Sequence, residues 1–320
     1  MCEQSNDPKV QSRDCADWDE VVKCLEEFPA PHVTITEGDV TRTDWVFRGL
    51  GDSCFHLEPA IERNARHKSM SWLALEKLVA LEFKSRARMH LSSELLPEPQ
   101  DDLTWLALMQ HHAIPTRLLD FTYSPFVALY FAIREQQNDR KRSHVRLWAI
   151  NATEVNDRFQ RVAYQAHTKA RERAGEKVVK KPASLHPDDF ATVGDSVDFE
   201  TQSLRKLIAE SMLATGTYRT ELERQGCVAV ALPPAFNPRL ASQQGVFLLN
   251  CAEDLSFDES LNKMMAPSSA EWCKRFDIAI DAVLEIEKRL FQMNIHEQTL
   301  FPDMEGLAGF IRQKIRLHWE

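Results

Sequence analysis

Gln110-His111-His112-Ala113-Ile114-Pro115-Thr116-Arg117-Leu118-Leu119-Asp120-Phe121-Thr122 packs seven polar or ionisable side chains around one proline. Leu103, Leu106, Ala107 and Met109 precede it at helical spacing, and Pro125 opens a second helical pattern through Phe126, Leu129, Tyr130 and Ile133. The segment therefore reads as a helix–loop–helix junction. A buried polar group left unpaired costs about 1–3 kcal/mol, so so many of them between apolar walls predict either a satisfied hydrogen-bond network or a ligand site.

Outward from the junction, the spacing predicts an N-terminal helix from Asp17 to Phe28, a short strand at Trp45-Val46-Phe47 leading into Arg48-Gly49, and a long helix from Ser71 to Leu91. Downstream, strands are expected at His144–Ile150, Cys227–Leu232, Val246–Leu249 and Arg275–Ile280, then helices from Val283 to Phe291 and through Ile311. Strands mixed with helices, without a βαβ rhythm, give an α+β fold. Residues 1–16 read as a tail and 17–320 as one domain, with a polar, partly basic insertion at about 151–226. Its run from His167 to Lys177, with Lys180 and Lys181, reads as solvated helix and loop, or as a basic arm touching nucleic acid.

With 320 residues and 43% hydrophobic content the chain can bury a substantial core, and its net charge of −9 gives no general attraction to phosphate backbones. No apolar run approaches the roughly 20 residues of a spanning helix, and Met1 to Asp7 lacks the pattern of a signal peptide. The expected compartment is the cytoplasm, with no membrane partner. Seven scattered cysteines without Cys-x-x-Cys spacing argue against a disulfide framework and a thiolate zinc site.

Three polar clusters adjoin apolar elements: Phe47-Arg48-Gly49, the junction, and Arg239 to Gly245. A partly buried Arg48 must find an acid or a phosphate; Asp52, Glu58 and Asp120 are the internal candidates. Gly49 admits a ligand or another backbone. Arg117 and Asp120 read either as ligand contacts or as an internal ion pair. There is no His-Glu-x-x-His, no Gly-x-Ser-x-Gly, no phosphate-binding loop and no dinucleotide-binding glycine turn, so no metal is expected.

These residues, in order, resemble the FRG domain family. The resemblance rests on Phe47-Arg48-Gly49, Gln110-His111-x-x-x-Pro115-Thr116-Arg117-Leu118-Leu119-Asp120-x-Thr122, Arg239-x-x-x-Gln243-x-Gly245-x-Phe247, and Leu300-Phe301-Pro302-Asp303-x-x-Gly306-Leu307. Ala113 stands where that family usually has glycine. The pattern is similar to the ADP-ribosyltransferase-like fold, which implies a mixed, mostly antiparallel sheet and NAD as a consumed substrate. It further implies Arg48, Gly49, Arg117, Thr122 and Arg239 as NAD-binding residues. Gln243, His111 and Asp120 would be catalytic, with Gln243 where the usual residue is glutamate and Asp120 supplying the charge a glutamine lacks. The implied acceptor is a macromolecule, DNA or RNA included, or water, and the implied role a toxin or antiphage effector. The alternative is a non-catalytic nucleotide- or nucleic-acid-binding module.

Overall fold

A computed structural model describes residues 10–28, 32–36, 39–92, 95–134, 143–175, 205–213, 216–232, 238–265 and 272–318. Its strands are β1 (Gln11–Cys15), β2 (His32–Thr36), β3 (Asp39–Thr43), β4 (Trp45–Leu50), β5 (Leu118–Thr122), β6 (His144–Asn151), β7 (Val228–Ala231), β8 (Gly245–Asn250) and β9 (Cys273–Ala279). β2 and β3 form their own antiparallel pair; the other seven form one sheet in the order β1-β9-β6-β4-β5-β8-β7. Every neighbouring pair in that sheet is antiparallel except β1 beside β9. The class is α+β, as expected.

Helices cover both faces. They include α1 (Trp18–Leu25), α2 (Ala60–His67), α3 (Trp72–Ala87), α4 (Asp102–His111), α5 (Pro125–Arg134) and α6 (Ala152–Arg173). After them come α7 (Gly216–Gln225), α8 (Pro238–Ser242), α9 (Phe257–Met265), α10 (Val283–Gln292), α11 (Glu297–Leu300) and α12 (Met304–His318). Asp17, Asp101 and Asn151 start α1, α4 and α6 by accepting from backbone N–H groups that a helix otherwise leaves unpaired. Among the described residues no helix is long and apolar enough to cross a membrane.

Period-two alternation divides the sheet between two environments. Val46, Leu119, Phe121, Trp148, Ile150, Val246 and Leu248 share one apolar cluster with Phe257 and Leu261 of α9. Residues on the opposite face fall into two separate clusters. Phe47, Leu147 and Phe276 pack with α1, α5 and α10, whereas Leu118, Phe247 and Leu249 pack with α4, α6 and α7. The boundary between those two clusters runs along β4 and β5.

Three expectations are corrected. The junction contains a strand, β5: Leu119 and Phe121 face one side, and Leu118, Asp120 and Thr122 face the other. Residues 11–15 are sheet rather than tail; their sequence carries no apolar alternation because β1 lies at the sheet's edge. Within 151–226, α6 buries Phe159, Val162, Ala163 and Ala166, and α7 buries Tyr218 and Leu222 against the α4 cluster. These helices build the core, while Lys177, Lys180 and Lys181 lie outside the described residues.

Glu62 on α2 is buried, and its Oε2 accepts from the Phe257 backbone N–H at the start of α9 (3.0 Å). Burial lifts its carboxyl to about 8, against the opposing pull of hydrogen bonds from Phe257 and Asn250. Between the ordinary carboxylate range and about 8, the folded protein holds a proton that the unfolded chain has released, so stability falls as pH rises through that window. Glu62→Gln should flatten this slope and raise Tm at pH 8, by on the order of 5 °C, but scarcely at pH 5. Thermal unfolding at the two pH values checks it; equal shifts would mean that the carboxyl is not protonated in the fold.

Candidate functional site

β4 pairs with β6 along its length and β5 with β8 along its length, yet β4 and β5 meet at one pair, Phe47 opposite Thr122. Beyond that pair the strands part. Arg48 spans the gap, donating from Nη1 to the backbone carbonyl of Asp120, an acceptor that a continuing ladder would have satisfied. A cavity of about 520 Å³ opens here, lined by residues from all three polar clusters: Arg48 and Gly49, then Gln110, His111, Asp120 and Thr122, then Arg239, Gln243 and Gly245. Phe131, Arg134 and Phe301 are among the other residues of its walls.

Asp120 is the sole acid among the described lining residues, and its carboxylate is aimed by a short relay. Thr116 Oγ1 donates to Gln110 Oε1 (2.6 Å), and Gln110 Nε2 donates to Asp120 Oδ2 (2.8 Å). The relay orders one carboxylate oxygen. Thr122 is buried; its hydroxyl donates to the Gln243 carbonyl (2.7 Å) and accepts from the Ser124 N–H (3.0 Å). Thr122 thus ties β5 to the turn before β8. Gln243 donates from Nε2 to the Leu300 carbonyl (3.0 Å), holding the C-terminal segment against the cleft. Partial burial, then His112 and Arg239 nearby, push the His111 imidazole below its ordinary range against the pull of Asp303, so it is neutral near pH 7 and able to accept a proton.

Arg117 is placed elsewhere. It is 3% exposed and does not line the cavity. Its Nε and backbone N–H both donate to Glu76 of α3 (2.7 and 2.9 Å), and its guanidinium lies 4.8 Å from the Trp72 ring centre. The expectation that Arg117 binds a ligand or pairs with Asp120 is therefore corrected: Glu76, a distant acid on a buried helix face, neutralises it and pins the loop. Gly49 lines the cleft, but a Cβ there would lie 2.0 Å from the Ala128 carbonyl oxygen. The close approach it permits is to helix α5.

Arg134 and Phe301 carry a signal that residue-type reasoning passed over. Arg134 ends the apolar helix α5, where a cation suits the helix terminus, and Phe301 lies in the C-terminal Leu300-Phe301-Pro302-Asp303 motif. The guanidinium carbons of Arg134 and Arg239 lie 4.4 and 4.3 Å from the Phe301 ring centre. Arg134 also pairs with Glu297 (2.9 Å). The lining thus holds three arginines and one acid in a protein of net charge −9, a local reversal that suits an anionic ligand.

Ala113 ends α4 with φ +57°. The Ile114 N–H reaches the Met109 carbonyl and the Ala113 N–H the Gln110 carbonyl (both 3.0 Å), the pair of hydrogen bonds of a glycine-favouring helix stop. Ala113→Gly should relieve this left-handed strain and stabilise the fold by about 0.5–1 kcal/mol, once the added freedom of the unfolded chain is deducted. Urea unfolding measures it, and a loss of stability would contradict the strain.

Residues 43–141 match the family model of the FRG domain, so the chain carries an FRG domain over that stretch. The match takes in β4, the Gln110–Thr122 segment and α5; Arg239 and Phe301 lie beyond it. No curated protein and no solved structure matches the chain.

Proposed function

We propose that the cleft takes NAD on an ADP-ribosyltransferase-like fold and breaks the nicotinamide–ribose bond, passing ADP-ribose to a macromolecular acceptor, nucleic acid included, or to water. One observation carries this reading: three sequence-distant polar clusters line one cavity whose charges, among the described residues, are three guanidinium groups and a single oriented carboxylate. Breaking the bond moves positive charge from the nicotinamide ring onto the ribose, and a carboxylate held beside the ribose favours that redistribution. Asp120 is suited to this task. Gln243, neutral and committed to the Leu300 carbonyl, is suited to shaping the wall. Neutral His111 at the cleft could take the proton of an incoming hydroxyl.

A binding module without turnover is the second reading, favoured by Thr122 and Gln243, whose hydroxyl and amide N–H donate to backbone carbonyls of the fold. Incubation with NAD separates the two. Released nicotinamide, with an ADP-ribose mass added to a protein or nucleic acid or found free in solution, supports the enzyme. Saturable NAD binding without product supports the module.

A further inference from the structure

We infer that Arg134 and Arg239, both held on the Phe301 ring, form a clamp for two adjoining phosphates. The inference rests on the nucleotide reading above and assigns the place of the ligand's diphosphate within the cleft.

Each guanidinium carbon lies within 4.4 Å of the same ring centre, so the two cations are at most about 9 Å apart. Like charges so placed repel, and Glu297 offsets the one on Arg134. A cation over a ring face is attracted by the ring's quadrupole, and a guanidinium keeps its planar fork of N–H donors there. Two such forks held by one ring in the cleft can engage two adjoining phosphates, where an isolated carboxylate would engage one. Arg48, at the sheet gap, already gives Nη1 to the Asp120 carbonyl; this contact suits it to fixing the strand that carries Asp120. The C-terminal segment would then complete the nucleotide site, because Phe301 supplies the ring and Gln243 ties Leu300 to the cleft wall.

The test titrates ADP, inorganic pyrophosphate and adenosine into the full chain by calorimetry at low salt. ADP and pyrophosphate should bind, and Arg134→Gln and Arg239→Gln should each weaken both by about tenfold or more while leaving any adenosine binding unchanged. Because Arg134 also pairs with Glu297, Glu297→Gln is the control. It breaks the ion pair but keeps the cation, so ADP affinity should hold or rise. The clamp is overturned if the unmodified chain binds neither ADP nor pyrophosphate, if the arginine variants bind as well as it does, or if Glu297→Gln loses as much affinity as Arg134→Gln. Nicotinamide release is read separately. An intact clamp without nicotinamide release sinks NAD cleavage alone, whereas cleavage that survives both arginine substitutions sinks the clamp alone.

Discussion

Asp120→Asn should lower the rate of nicotinamide release by ~10²–10³-fold, the scale on which a preoriented electrostatic group acts in a transition state, with little change in NAD affinity or thermal stability. The substitution is nearly isosteric. An asparagine oxygen can still accept from Gln110 Nε2, and the backbone carbonyl that receives Arg48 is untouched. What disappears is the negative charge facing the cleft. That charge matters most when the nicotinamide departs and the ribose becomes cationic, so the loss should fall on kcat more than on KM. Steady-state nicotinamide release beside a melting curve provides the measurement. A folded variant with ordinary turnover would remove Asp120 from the chemistry and leave His111 as the remaining proton-accepting group of the cleft.

Much of the scaffold was legible because it obeys short-range rules. The stripe of Val21, Leu25 and their neighbours marks α1, and the apolar run at His144–Ile150 marks β6. β5 escaped since its alternation puts Asp120 and Thr122 on a face that is apolar almost everywhere else on the sheet. A strand that departs from the pattern because it lines a cleft resembles a polar loop in the linear sequence. The convergence of Arg48, Asp120 and Arg239 was implied by the family resemblance, whereas the pairing of Arg117 with Glu76 was not: these residues are 41 positions apart, and no periodicity links a loop cation to a particular acid on a buried helix face. The edge strand β1 was illegible for a related reason, as only Cys15 of its five residues joins the apolar core and the strand is otherwise defined by its pairing with β9.

Gly49→Ala should destabilise the protein by about 3 kcal/mol or more, toward the upper end of what overpacking costs. The added methyl would lie 2.0 Å from the Ala128 carbonyl oxygen and 2.6 Å from the Ala132 nitrogen. Both are backbone atoms of α5, so no side-chain rotation relieves the clash. Ala128 and Ala132 are almost wholly buried there; the helix sits on the sheet at a separation that only small residues on both sides allow. Relief requires α5 to lift from β4, and α5 carries Phe131 and Arg134 into the cleft. Anion binding should therefore weaken at temperatures where Gly49→Ala is still folded, a coupling that a clash far from the site would not produce. Urea unfolding and ADP titration of the same variant test the two halves together. A stability change within about 0.5 kcal/mol, the range of an ordinary surface substitution, would mean that helix and strand are not in contact at this glycine.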